Sequence, residues 1–300
     1  MKYCQAGHLT LQLGCRPHAG ALARVGLTLP SRQLPVVVLT CNVGASGLPP
    51  RRADGRFDDE AVLIPPNELT TLFHEFGHAM HTIFGQTHVH NLAGTRSSID
   101  FVETFSQLFE QFLTSYDFLR LWARHVETHQ PITRDLVEQH NTAMRMFTHL
   151  STLDAVMLSV VDQVLHGPKP LTVYSPTEDG GLQNRQLGDF ADYDRENFDL
   201  AKVLIESTAP FAVARLSEEG ALHALSFEHL SGYPAGYYGY LYSLSVARRI
   251  WQKKFERNAV NREAGEELVN KVMRFGAACD PVKTLEGYLG ESLSDIDSWE

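Results

Sequence analysis

Thr71-Leu-Phe-His74-Glu75-Phe-Gly77-His78-Ala-Met-His81 contains a His-Glu-x-x-His pattern, and its spacing decides both the fold class and the chemistry to look for. Residues four apart on a helix lie one above the other, so His74 and His78 would present imidazole nitrogens to one ion about 2.0–2.1 Å away. Glu75 would then stand beside the open coordination position. A carboxylate there can take a proton from metal-bound water, whose pKa the ion lowers to about 7, and pass it to a leaving amine. The pattern points to hydrolysis at one zinc ion per chain, provided that a helix carries it.

The flanks predict such a helix over 67–84. Pro65-Pro66-Asn67 reads as its start, with Asn67 as N-cap. Leu69, Leu72 or Phe73, Phe76, Met80 and Ile83 follow at helical spacing, which predicts an apolar face on the core with the histidines elsewhere. Gly77 costs a helix interior about 1 kcal/mol relative to Ala, so its presence predicts a close approach beside the metal.

A catalytic zinc needs a third protein ligand and one open position. His81 lies seven residues beyond His74, about 10 Å along a helix axis at 1.5 Å per residue. It is too far for joint ligation and reads as a supporting or surface residue. Glu103 is the better candidate. Ser97-Ser-Ile-Asp100 resembles a capping box, and Phe101, Phe105, Leu108 and Phe112 mark an apolar helix face over 99–116. Glu103, Gln107 and Glu110 share the opposite face, which alone would describe a solvated stripe. Its arrival soon after a short loop rich in His and Gly, with a two-His site lacking a ligand, favours Glu103. Asp100 and Glu110 are either orienting partners for the imidazoles or ordinary surface charges.

Phe227-Glu-His229-Leu-Ser-Gly-Tyr233-Pro-Ala-Gly-Tyr237-Tyr238-Gly-Tyr240-Leu-Tyr242 gathers five tyrosines and a histidine around glycines. Tyr233, Tyr237 and Tyr240 are spaced four and three apart and would align if the helix expected over 235–257 began near Pro234. A tyrosine stripe is compatible with core packing. It also suits peptide hydrolysis, in which charge builds on the carbonyl oxygen and hydroxyl or imidazole donors stabilise it. The glycines would let such donors swing in.

The chain has 300 residues and a net charge of −10. That length can bury a sizeable core, and the negative balance argues against a nucleic-acid surface while suiting a cleft for cationic peptides. Residues 1–53 hold six Lys or Arg and no Asp or Glu. That bias resembles a targeting segment, but strand-like patterns at His8–Leu13 and Val36–Cys41 favour a folded region. Cys4, Cys15, Cys41 and Cys279 show no paired spacing, which suggests reduced thiols, and no apolar run reaches the roughly 18 residues of a membrane span. The expected layout is a β-rich start over about 7–64, with a loop at 43–60 and a strand at 61–64. Helices follow over about 67–291, including 117–128, 132–149, 151–165 and 261–275, with a loop at 167–186. In zinc peptidases of this general architecture an edge strand before the metal helix binds substrate backbone by β-addition, which is the expectation for Val36–Cys41.

Six stretches, QLPVVVL, LFHEFGHAMH, GTRSSIDFVE, WARHVETHQPI, FEHLSGYPAGYYGYLYS and FERNAVNREAGEELV, occur in an order that resembles the C-terminal part of the thimet oligopeptidase family, and most of all its intermediate-peptidase branch. The resemblance runs from about residue 33 to about residue 291. It implies a mainly α, zincin-type metallopeptidase catalytic domain with a small β-sheet beside the His-Glu-x-x-His helix. It also implies His74, His78 and Glu103 as zinc ligands, Glu75 as general base, His229, Tyr233 and Tyr240 as transition-state donors, and Tyr237 as a neighbour on the substrate side. A peptide or unfolded precursor would be the substrate, with removal of an octapeptide from imported precursors in the mitochondrial matrix. A cytoplasmic oligopeptidase of the thimet type is the alternative, as is an inactive fragment or zinc-binding module that needs a separate N-terminal half. The chain departs from the family in Phe105, where proline is common, and in Pro234, which follows Tyr233. Family members are also longer, and their helical N-terminal half, the other wall of a substrate channel, is expected to be absent from residues 1–300.

Overall fold

The computed structural model describes residues 6–16, 24, 32–41, 53–55, 63–167, 171–176, 182–187, 200–209, 217, 220 and 227–294. In chain order these form strands β1 (Ala6–Gln12) and β2 (Val36–Cys41), then helices α1 (Pro66–Phe84), α2 (Ile99–Gln111), α3 (Tyr116–Leu119), α4 (Arg134–Met146) and α5 (Thr148–His166). Strands β3 (Leu171–Pro176) and β4 (Leu182–Leu187) follow, and then α6 (Leu200–Thr208), α7 (Glu228–Gly232), α8 (Gly239–Ile250), α9 (Arg262–Lys271) and α10 (Pro281–Leu289). The fold is mainly helical, with a small antiparallel sheet against the His-Glu-x-x-His helix, as the sequence implies. The chain divides into two units, residues 1–141 with 243–300, and residues 142–242.

In the first unit β1 and β2 pair antiparallel, with His8 opposite Leu39. β2 has the expected bounds, and β1 starts two residues earlier than the pattern suggests. Exposure alternates along β2, and Val37, Leu39 and Cys41 are the half-buried positions. Residues directly opposite on an antiparallel pair share a face, so His8 lies on the covered side, against α1.

α1 crosses α2 at Gly77. A Cβ there would stand 2.7 Å from both the Phe105 carbonyl oxygen and the Ser106 Cα. The close approach predicted for this glycine is the crossing itself, and it brings Glu103 beside His74 and His78. Of the predicted apolar stripe Phe76 is exposed and Leu69, Leu72, Phe73, Met80 and Ile83 are half-buried, so the most buried positions lie elsewhere. Gly77, His78, Ala79, His81 and Thr82 are buried, whereas Phe76 and Phe84 are exposed. The tightest packing follows the small residue that lets α2 approach rather than the largest side chains. His81 is correspondingly no surface residue. It is fully buried between Phe101 and Phe105, with ring centroids 5.6 and 4.3 Å away. Burial, with the nearby His78 and His8, pushes its pKa down to about 3, so the ring is neutral.

Several boundaries differ from expectation. α1 is preceded by Pro65 rather than Asn67, and no side chain caps it; proline at the first position already lacks the N–H that a cap would satisfy. Ser98, not Ser97, is the N-cap of α2, and its side chain makes no capping bond. α2 ends at Gln111 in a 3₁₀ turn at Phe112–Thr114, and the expected helix 117–128 shrinks to α3. There His125 Nδ1 accepts from the Glu127 and Thr128 N–H groups at 3.3 and 3.2 Å, and His129 adopts φ 55, so a side-chain-closed turn wins over helix. α8 runs into a π-helical turn at Trp251–Phe255, where Trp251 and Phe255 pack on Phe112 at 5.0 and 5.5 Å. α9 is capped by Asn261, whose side chain accepts from the Ala264 N–H, and ends short of the expected 275. α10 was not anticipated, although Asp280, Pro281 and the left-handed Gly290 are ordinary start and stop signals. Cys15 is a buried thiol and Cys279 an exposed one.

In the second unit Val161 of α5, Ala201 and Leu204 of α6 and Leu230 of α7 form a core cluster. α4 and α5 are separate because Phe147 (φ −102, ψ 1) breaks the helical path. The segment 167–186, expected to be a loop, holds β3 and most of β4, paired antiparallel from Leu171 opposite Leu187 to Pro176 opposite Leu182. Two short runs between prolines and glycines carry too few alternating apolar residues to announce a hairpin. Leu63 and Ile64 are not in a strand, while Ala61, Val62 and most of the loop 43–60 lie outside the described residues. No helix among the described residues is long and apolar enough to cross a membrane.

Candidate metal centre

Three side chains on the facing sides of α1 and α2 converge on one point. His74 Nε2 lies 3.2 Å from Glu103 Oε2, and His78 Nε2 lies 3.4 Å from the same oxygen. One ligand atom from each residue falls within 4.8 Å of the others, and the two imidazole planes are 84° apart. Bonds of about 2.0–2.1 Å at the tetrahedral angle place neighbouring ligand atoms about 3.3 Å apart. The two separations from Glu103 Oε2, 3.2 and 3.4 Å, match such a coordination edge. The donor set therefore fits a divalent metal ion.

The surroundings orient these donors. Ser106, one turn along α2, donates its hydroxyl to Glu103 Oε2 at 2.7 Å. Glu110 sits 2.6 Å from His74 Nδ1, which is the tautomer-fixing arrangement anticipated as one option for this residue. Asp100, the other candidate, has a buried Oδ1 with no hydrogen-bond partner among the described residues, and His78 Nδ1 is in the same condition.

Burial alone would push the Glu103 carboxyl up, but hydrogen bonds with His74 and His78 hold it well below the carboxylate range. Burial would lower His74, yet hydrogen bonds to Glu103 and Glu110 raise it to about 10. Without a cation, a proton on His74 is what balances two carboxylates. Glu75 is also shifted down, because its bond to His8 and the nearby His78 and His74 outweigh desolvation, so it stands ionised and able to accept a proton.

His8 is a contact of Glu75 and His78 that sequence reasoning missed. Its Nδ1 is 3.0 Å from Glu75 Oε2 and its ring 4.8 Å from that of His78. It sits 67 residues before Glu75 on a strand, so no helical spacing links them; only the pairing of β1 on the α1 side brings it in. Ser106 could have been found, since it lies three residues from Glu103 on one helix.

In the second unit, the remaining predicted site residues form a ring cluster of their own. His229 has Tyr233, Tyr237 and Tyr240 at ring-centroid distances of 6.1, 6.3 and 5.9 Å, and Tyr237 and Tyr240 are 5.2 Å apart. α8 begins only at Gly239, so Tyr233 and Tyr237 lie in the turns before it rather than on its stripe. Burial pushes the Tyr237 hydroxyl pKa up, which keeps it a donor at neutral pH.

A zincin-like helix with a His-Glu-x-x-His pattern and a carboxylate from the following helix defines the class as metallopeptidase. The model of peptidase family M3 matches residues 1–297, and the chain belongs to that family. It is 34% identical over 271 residues to a mitochondrial intermediate peptidase of Scheffersomyces stipitis, a match that covers 89% of this chain and 31% of the relative. It is 30% identical over 257 residues to the mitochondrial intermediate peptidase of Yarrowia lipolytica, covering 86% and 29%. That of Botryotinia fuckeliana is 32% identical over 265 residues, covering 87% and 30%. The chain thus spans less than a third of the length of these relatives.

Proposed function

We propose that this chain is the catalytic region of a zinc peptidase that trims the N-terminus of precursor proteins in the mitochondrial matrix. The observation that carries the reading is the convergence of His74 Nε2, His78 Nε2 and Glu103 Oε2 at coordination-edge distances. These three residues would hold the ion. Zinc supplies a polarised water of lowered pKa and a Lewis acid for the scissile carbonyl. Glu75 takes the proton of the attacking water and delivers it to the leaving amine, and His8 holds its carboxylate. His229, Tyr233 and Tyr240 donate hydrogen bonds to the carbonyl oxygen as its charge grows, with Tyr237 beside the substrate.

The names of the relatives support a peptidase of the mitochondrion, and in this reading the substrate is a matrix precursor and the removed segment an octapeptide. The 300 residues act as one catalytic region. Zinc content of the purified chain, with turnover of octapeptide-bearing precursors set against a panel of short peptides, tests this. Preference for the precursors supports the reading, and equal or better cleavage of short peptides replaces it with a general oligopeptidase. If turnover appears only on adding the N-terminal portion of a relative, the chain works as one half of a two-part enzyme.

A further inference from the structure

Asp162 is fully buried on α5 and collects three hydrogen bonds. Its Oδ1 accepts from the Ala235 N–H at 2.9 Å and its Oδ2 from the Tyr237 N–H at 2.8 Å. His166 Nδ1 lies 2.9 Å from Oδ1. The adjacent Gln163 donates its side-chain amide to the Ala235 carbonyl at 2.9 Å. Two neighbouring residues of one helix therefore hold Ala235 at both its N–H and its carbonyl. Ala235 has φ 59, a left-handed conformation that a residue with a Cβ adopts at a cost. A buried carboxylate without hydrogen bonds is strongly unfavourable, so the loop and the carboxylate each require the other. The gripped peptides lead directly into α8 through the Gly239 N–H to Gly236 carbonyl and Tyr240 N–H to Tyr237 carbonyl bonds.

We propose that Asp162 is a positioning residue: through the Ala235 and Tyr237 amides it fixes the turn that presents Tyr233 and Tyr240 to the substrate carbonyl and holds Tyr237 beside the substrate. This rests on the reading of those rings as donors in peptide hydrolysis. It replaces the expectation of a glycine-loosened, swinging loop with a tied one. Asp162 touches no substrate and acts through the backbone it holds.

Residue-resolved amide hydrogen exchange on the full chain, with Asp162→Ala and Asp162→Asn, tests it. The Ala235 and Tyr237 amides should lose roughly 10–100-fold of their protection, the range for hydrogen bonds to a charged group, while Val246 and Ile250 in α8 keep theirs. Zinc content should stay constant, and kcat should fall with KM for peptides little changed. Gln163→Met should give the same pattern, more weakly. Unchanged exchange at Ala235 and Tyr237 overturns the proposal, as does loosened exchange with unchanged kcat. If Asp162→Ala does not fold, Asp162→Asn keeps the volume and one acceptor and still decides between these outcomes. Should the wild-type chain hydrolyse no peptide, the proposed function fails, and the exchange result alone decides whether the grip exists.

Discussion

Glu103 and Asp162 are both buried carboxylates, but they serve different clients. Glu103 faces two imidazoles at 3.2 and 3.4 Å and is complete only when a positive charge sits among them. Asp162 is satisfied by backbone amides at 2.9 and 2.8 Å and needs no ion. A carboxylate surrounded by ring nitrogens is a binding device; one surrounded by peptide N–H groups is a clamp on chain geometry. The first should respond to metal, and the second should not.

The sharpest break between the two is Glu103→Ala, which should release the ion altogether, with zinc stoichiometry falling from one per chain toward zero by metal analysis. Retained zinc would remove Glu103 as a ligand. Glu75→Gln should keep the ion and lower kcat by about 10²–10⁴-fold, the usual range for a general base. An unaltered rate would assign the proton transfer elsewhere. Glu110→Gln removes the partner of His74 Nδ1 and should weaken metal affinity about 10–100-fold in a competition titration. Chelation should leave the Ala235 and Tyr237 amides as protected as before; exposure of those amides would mean that the clamp, too, depends on the ion.

The smallest effect concerns pH in the metal-free protein. His74 is lifted from 6.5 to about 10, because its carboxylate partners outweigh burial, so its stabilising contribution is full below pH 6.5 and fades as pH rises toward 10. Glu103 is shifted down from 4.5, so its contribution is full above that value and fades on further acidification. The thermal midpoint of the apoprotein should therefore be highest between about pH 4.5 and 6.5 on account of this pair, and decline gently on the alkaline side. Zinc affinity should rise over that same alkaline range, since the ion must displace the His74 proton. A midpoint that increases steadily to pH 10 would contradict the assignment.

The metal region was largely legible because its information is local. His74, Glu75 and His78 share one helix, where spacing alone fixes direction, and Gly77 marked the close crossing before the identity of the crossing element was visible. Glu103 needed the added requirement of a third ligand. The clamp was illegible for the opposite reason: Asp162 lies 73 residues from Ala235 and bonds to main-chain groups that every residue possesses. His8 escaped because it arrives on a strand, and the surface option for His81 failed because its axial distance from His74 says nothing about what α2 covers. The hairpin at Leu171–Leu187 was hidden by polar residues on short strands.

Gly77 acts as a gauge. With no side chain between the two helices, their separation is fixed by backbone contact, and that contact sets how far the Glu103 oxygen stands from the two ring nitrogens. Even a single methyl group would stand 2.7 Å from the Phe105 carbonyl oxygen and the Ser106 Cα and would wedge the helices apart, carrying the Glu103 carboxylate away from the two imidazoles. The spacing of the three side chains is thus written partly in a missing atom.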